Sequence, residues 1–429
     1  MNALTVPMQS DSVPSLQRDM LMGLFDAALK AVDPLQVMPQ HLPAKPKGRT
    51  VVVGAGKAAA RMALALEQHW DGPLQGLVVT RYGHGEATQK IEVVQAGHPV
   101  PDDAGAVAAQ RILASVQGLT ADDLVIALIS GGGSSLLSAP VQGVTLQDIR
   151  DLTQALLKSG ATIHDMNCVR KHLSSIQGGR LGQACGLASV HTLVISDVPG
   201  DDPRTVASGP TLPEDSTPAD ALGVLQRYKI TPPSRVLEAL KPGIGQAHFG
   251  ALGARACHVI ATAQLALDSA AAHARQLGLT PIILGNAIEA EARHAGSFQA
   301  GIARQIALHA QPAAMPAVIL SGGETTVTVR GTGRGGRNAE YLLSHALACK
   351  DLPNVWGLAA DTDGIDGSET NAGAIFDPHT VQRALAMGMR GEQYLANNDA
   401  FSFFDALGDL VTTGPTRTNV NDLRATLIL

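Results

Sequence analysis

From Val51 onward, short apolar runs alternate with segments of helical periodicity, and this alternation narrows the fold more than any other feature of the chain. "VVVGAG", "GLVVT", "IEVVQAG", "DLVIALISGGG" and "HTLVISDVPG" read as buried strands, separated by segments such as "AGAVAAQRILASVQ" and "LQDIRDLTQALLKSG". Strands that are apolar throughout, with a helix after each, predict an α/β fold built on a parallel sheet covered by helices. The composition agrees, since 45% of residues are hydrophobic but only 3% aromatic, so Ala, Val, Leu and Ile must fill the core. Before the first strand, "LQRDMLMGLFDAALKAVDP" predicts an amphipathic helix with Met20, Leu24, Ala27 and Ala31 on one face.

A length of 429 residues exceeds one ordinary core and predicts two domains. The pattern weakens over Pro232–Phe249, where prolines and glycines accumulate, so the junction is expected there, with domains at 1–240 and 241–429. Beyond it the alternation resumes in "HVIAT", "LTPIILG", "PAVILSGGETTVTVRG" and "VWGLAAD", with "TTVTV" patterned like an antiparallel or edge strand. The expectation is therefore two α/β domains. The first is a Rossmann-like parallel sheet with helices on both faces, the second a smaller mixed sheet.

The net charge of −6, with cations scattered singly, gives no basic stripe for nucleic acid or an anionic membrane. Cys168, Cys185, Cys257 and Cys349 form no C-x-x-C pair, so a zinc ribbon or disulfide framework is not expected and a reducing, cytoplasmic setting is. The first residues lack the basic and apolar regions of a signal peptide, and no run approaches the ~18 apolar residues of a membrane span.

The chemistry concentrates at strand ends. Gly54, Gly56 and Ala59 fit the loose dinucleotide fingerprint G-x-G-x-x-A, and Arg81 follows the second strand where an arginine would meet a 2′-phosphate. Lys57, inside the same turn, equally suits a transferring phosphate, so hydride and phosphoryl transfer both stay open at this point. "LVIALISGGGSSLL" runs a buried strand into Ser130, Gly131, Gly132, Gly133, Ser134 and Ser135, a loop whose bared amides and hydroxyls suit phosphate. It is no Walker A loop, because "SGGGSS" has no lysine and Lys57 is followed by alanine. Neither is it the G-x-S-x-G elbow of a serine hydrolase.

Asp197, Asp201 and Asp202 follow one strand, and Asp361, Asp363 and Asp366 another. Carboxylates so placed suit Mg²⁺ or a base that accepts a hydroxyl proton, although Asp-Gly and Pro-Gly-Asp are also turn chemistry. Arg170 and Lys171 in "CVRKHLS", and Arg334 and Arg337 in "GRGGRNAE", are cations suited to a carboxylate substrate or a phosphate. The fourteen histidines show no zinc-ligand spacing. "ISGGGSS" echoes "LSGGETT", and "QGGRLG" echoes "RGGRNAE", as two related glycine loops facing one cleft would.

Taken in order, "GAGKAA", "YGH", "AGHPVPD", "SGGGSSLL", "LLKSGA", "VRKHLS", "GGRL", "ISDVPGD", "ASGPT", "SGGETTV", "GGRN", "DTDGIDG", "NNDA" and "TGPTRTNVNDL" resemble the type-II glycerate kinase (glycerate 2-kinase) family over nearly the full chain. The last groups resemble its C-terminal domain, the multi-organism fragment with rich leucine. Members have often been named hydroxypyruvate reductase. The resemblance implies transfer of the ATP γ-phosphoryl group to the 2-hydroxyl of D-glycerate, with a divalent metal such as Mg²⁺, in a cleft between two α/β domains. It implies Lys57 and Arg337 as cations on the transferring group and Asp197 as the residue that orients or deprotonates the hydroxyl. Metal binding falls to Asp197 with Asp201, the anionic group to Ser130–Ser135, and the substrate to Arg170 and Lys171. The expected partners are D-glycerate and ATP, with no nucleic acid or membrane; a homodimer is compatible with these observations.

Overall fold

A computed structural model describes residues 16–241 and 252–429. Six strands, β1 (Thr50–Ala55), β2 (Gln75–Arg81), β3 (Ile91–Ala96), β4 (Leu124–Ser130), β5 (Ser189–Ile195) and β6 (Arg255–Ala261), form an all-parallel sheet in the order β3-β2-β1-β4-β5-β6. This is the Rossmann order, in which chain progression reverses between β1 and β4 and opens a crevice at their carboxyl ends. Alternate residues of the central strands, among them Val51, Val53, Val125, Ala127 and Val190, pack with Ala108, Ala109 and Ile112 of the helix Asp103–Ser115. Small side chains let helix and sheet approach closely, which explains the low aromatic content of this core.

The second sheet comprises β7 (Thr280–Gly285), β8 (Ala317–Gly323), β9 (Val355–Asp361), β10 (Gly373–Phe376), β11 (Leu410–Val411) and β12 (Asp422–Ile428), in the order β11-β10-β9-β12-β8-β7. Only β7 and β8 pair in parallel; β12 lies between β8 and β9, antiparallel to both. The sheet is mixed and, with shorter edge strands, the smaller of the two. Its core joins Ala317, Ile319 and Ala359 to Ala300, Ala303 and Ile306 of the helix Ala292–His309, and to Leu342, Leu343 and Ala346 of the helix Arg337–Ala348. Burial of each large aliphatic side chain there contributes roughly 1.5–3 kcal/mol.

The chain folds into two units that are not two consecutive segments. One contains Leu29–Ala266 and Pro415–Asn421, the other Met1–Ala28, Leu267–Gly414 and Asp422–Leu429. A junction near 240 falls too early, because β6 follows it and pairs with β5. Residues 242–251 of the expected junction lie outside the described residues.

Two local expectations also change. "TTVTV" is not a strand: Thr326 makes one isolated bridge to Glu291, and the Thr328 amide donates to the Glu291 carboxylate, so side-chain bonding replaces a ladder. The helix Leu16–Ala31 forms, but it buries Leu21, Leu24, Phe25 and Ala28 rather than the face through Met20 and Ala27. Larger side chains set the buried stripe. Among the described residues no helix is long and apolar enough to cross a membrane.

Candidate active site

Register brings the strand-end residues of the parallel sheet together. Ala55 lies opposite Ile129, and Ser130 opposite Ile195, so the chain leaves β1, β4 and β5 at one level. There the Lys57 amide donates to the Gly131 carbonyl at 2.9 Å. The glycine at 131 is a steric requirement: a Cβ there would lie 1.7 Å from Oδ2 of Asp197. At Gly132, φ is 80°, a left-handed conformation that turns the loop into the short helix Gly133–Leu136. A Cβ on that residue would also sit 3.3 Å from Cγ of Lys57. Lys57, the glycine loop and Asp197 are thus neighbours.

Asp197 is held by residues from the far end of the chain. Asn419 Nδ2 donates to its Oδ2 at 2.8 Å, and Asn421 Nδ2 donates to its backbone carbonyl. These asparagines lie in the "TNVNDL" part of the family resemblance, but local spacing gives no sign that they return to β5. Asp201 sits on the following turn, its amide donating to the Val198 carbonyl at 3.0 Å. Asp202 is engaged elsewhere, 2.9 Å from Arg204.

The loop hydroxyls divide their work. Ser130 is fully buried and its Oγ accepts from the Ala58 amide at 3.0 Å, tying β4 to the turn after β1; its position is that of a brace. Ser134 Oγ lies 2.8 Å from Ser208 Oγ, and Ser135 donates to the Gly132 carbonyl at 3.1 Å. Ser208, in "ASGPT", has φ 59°, and its local sequence gives no sign that it meets Ser134.

Arg170 and Lys171 part company. Lys171 is 2.6 Å from Glu214, while Arg170 lines a pocket with Ser134 and Ser135.

Arg337 belongs to the other unit, at the start of the helix Arg337–Ala348. Its Nε donates to Asp422 at 2.9 Å, Nη2 to Asp361 at 2.8 Å and Nη1 to Glu324 at 2.6 Å. Pairing of β9 and β12 sets Asp361 beside Asp422, so two buried carboxylates face one guanidinium. Burial alone would lower the Arg337 pKa, but Asp422, Asp361 and Glu324 hold it well above its ordinary value. Asp366 accepts from the amides of Asn338 and Ala339, each at 2.9 Å, and so anchors the first turn of that helix. Burial pushes its pKa up to about 6 against the pull of those amides. Asp363 accepts from the Ile365 amide at 2.8 Å, and Arg334 pairs with Glu369 and stacks on Phe401. No cluster of three or more His, Cys, Asp and Glu suited to a metal ion occurs among the described residues.

A Rossmann-order sheet with a lysine and a glycine loop at its switch point, joined to a mixed-sheet unit that presents a carboxylate-clasped arginine, defines a particular class of two-unit α/β protein. Two family models match this chain, "Domain of unknown function (DUF4147)" at residues 20–241 and "MOFRL family" at residues 317–422. The chain is 41% identical over 418 residues to the D-glycerate 2-kinase of Thermotoga maritima, covering 97% of this chain and 99% of that protein. The crystal structure of glycerate kinase from the same organism matches with a TM-score of 0.88 at 40% identity, over 97% of this chain and 100% of that one. A protein of Agrobacterium vitis named "putative hydroxypyruvate reductase" is 50% identical over 414 residues, 96% of this chain and 94% of its own. The chain belongs to the glycerate 2-kinase family.

Proposed function

We propose that this protein is an ATP-dependent glycerate 2-kinase, transferring the γ-phosphoryl group of ATP to the 2-hydroxyl of D-glycerate. The observation that carries the reading is the convergence of Lys57, the Gly131–Ser135 loop and Asp197 at the switch point of the parallel sheet, in a chain of this family.

Phosphoryl transfer asks the protein chiefly for positioning and for positive charge near the peripheral oxygens of the transferring group. Lys57 supplies such charge in this reading, and Arg337 is the second cation. Backbone amides of the loop at Gly131–Gly133 receive an anionic group, while Ser130 braces the turn. Asp197, fixed by Asn419, orients the attacking hydroxyl or accepts its proton.

The donor set near β5 fits Mg²⁺ in one specific sense. Mg²⁺ takes one or two carboxylates and completes its shell with water and substrate phosphates, so it needs no all-protein cage. Asp197 and Asp201, oxygen donors on one turn, are the residues that would hold it. When bound, the ion would neutralise phosphate charge. A reducing compartment, the cytoplasm, is proposed from the four free thiols.

Incubation with ATP, Mg²⁺ and D-glycerate, coupled to enolase without a mutase, tests substrate, reaction and regiochemistry together. Appearance of 2-phosphoglycerate is expected. A signal only after mutase addition means attack by the 3-hydroxyl. Silence with ATP, together with oxidation of NADPH by hydroxypyruvate, overturns the kinase reading in favour of the reductase its relatives' name suggests.

A further inference from the structure

The stretch Pro415–Asn421 lies between β11 and β12 in sequence but belongs to the unit built on the parallel sheet. Side chains anchor it there. Thr418 Oγ1 donates to the Val32 carbonyl at 2.8 Å, Asn419 donates to the Asp197 carboxylate at 2.8 Å, and Asn421 donates to the Asp197 carbonyl. Two residues before Asn419, the backbone of Arg417 has φ 62°, a left-handed conformation that a residue with a Cβ adopts only at a cost. Its surroundings must therefore hold it.

What holds it is the turn after β2. Arg417 Nε donates to the Gly85 carbonyl at 3.2 Å and lies 3.4 Å from Oε1 of Glu86. The same Oε1 accepts from Arg61 Nη1 at 3.1 Å, and Arg61 spends Nε and Nη2 on the two carboxylate oxygens of Asp33, each at 2.7 Å. A lone ion pair on the surface fixes little. Here the carboxylate is only 14% exposed and is already fixed by a second arginine, which is itself held in a bidentate pair. Arg61 sits on the helix Ala59–His69, one turn beyond Lys57. Glu86 thus joins the helix that follows Lys57 to the stretch that carries Asn419.

We propose that Arg417 is a positioning residue of the candidate active site: anchored on Glu86 and Gly85, it holds the left-handed turn that aims the Asn419 amide at Asp197. Its effect on the chemistry passes through Asn419. Through Glu86 and Arg61 the same anchor ties the setting of Asp197 to that of the helix behind Lys57. The inference rests on the kinase reading for what Asp197 does, whereas the anchoring of the turn stands apart from it.

The test compares wild type with Arg417→Met, Arg417→Lys, Glu86→Gln, Asn419→Ala and the double variant of Arg417→Met with Asn419→Ala. Neither Arg417→Met nor Glu86→Gln strands a buried charge, because Glu86 keeps Arg61 in the first, Arg61 keeps Asp33 in the second, and Arg417 is 36% exposed. Melting temperatures should stay within about 3 °C of wild type. In Arg417→Met, hydrogen exchange of the amides at 416–421 should quicken about tenfold while the rest of the chain keeps its protection. In the enolase-coupled assay its kcat should fall about tenfold with both KM values nearly unchanged, since a misplaced group weakens the transition state more than the ground state. Arg417→Lys should recover part of that loss by keeping a cation opposite Glu86, and Glu86→Gln should lose less because the Gly85 carbonyl still holds Arg417. The double variant should be little slower than Asn419→Ala alone. Full addition of the two losses overturns the proposal, because Arg417 then acts by another route. So does unchanged exchange at 416–421 or unchanged kcat in Arg417→Met, and so does a loss of kcat matched by a large fall in melting temperature in both Arg417→Met and Glu86→Gln. A wild type without kinase activity would sink the proposed function, whereas the exchange measurement needs no turnover and still decides the anchor.

Discussion

Arg170 and Arg337 are both half-buried guanidiniums, and the protein treats them in opposite ways. Arg337 is gripped at three nitrogens by Asp422, Asp361 and Glu324; Arg170 has a single long bond to a threonine. A cation whose counter-ions are built in is oriented before any ligand arrives, and a ligand gains from it only at the margin its carboxylates leave. A half-buried guanidinium with no built-in carboxylate keeps most of its donors for solvent or for an arriving anion.

Arg337→Ala tests this contrast with the largest expected effect. Breaking its buried pairs should cost about 3–5 kcal/mol of stability, read by urea unfolding. In protein that remains folded, turnover in the enolase-coupled assay should fall about 10²-fold or more, as it should for Lys57→Ala. Full turnover in either folded variant would remove that residue from the proposed chemistry.

A second measurement concerns the helix that carries Arg337. Because the Asp366 pKa is raised to about 6 from its usual 3.8, the folded state holds this proton more tightly than the unfolded chain does. The resulting stabilisation is full below about pH 4 and is lost as pH rises through 6. Urea midpoints of wild type should therefore decline relative to those of Asp366→Asn over that window, whereas parallel profiles would mean that Asp366 titrates as it does in the unfolded chain.

The smallest effect is expected at Glu324. Its side chain is 48% exposed, against 6% for Asp361 and 0% for Asp422. Glu324→Gln should change stability by less than about 1 kcal/mol, since solvent screens an exposed pair. A larger loss would show that all three carboxylates are needed to fix the guanidinium.

What was legible in the sequence divides along the same line between local and distant partners. The strands ending at Ala55, Ser130 and Ile195, and the glycine loop, are written in contiguous residues, and their parallel arrangement follows from the alternation with helices. The brace at Ser130, the Asn419 contact to Asp197 and the Asp422 contact to Arg337 are not, because each depends on residues that approach only in three dimensions. β12 shows why. "DLRATLI" places Asp422, Arg424 and Thr426 on alternate positions, the pattern of a strand half open to water, yet all seven residues are buried, with Arg424 donating to Asp422. A charge that finds its counter-ion two residues away reads as surface and folds as core. The split of Lys171 from Arg170 has a similar origin, since adjacent residues on a helix point in directions about 100° apart.

The position of β12 also bears on how the chain assembles. It is the last strand in sequence and a central one in its sheet, flanked by β8 and β9. Until residues 422–428 emerge, those two neighbours face each other across a missing strand with both inner edges open to any other extended chain. The residues just before it, 419 and 421, deliver the amides that hold Asp197 in the first unit. One short stretch, residues 419–428, therefore completes two separate structures at once, and a chain that lacks it leaves both unfinished.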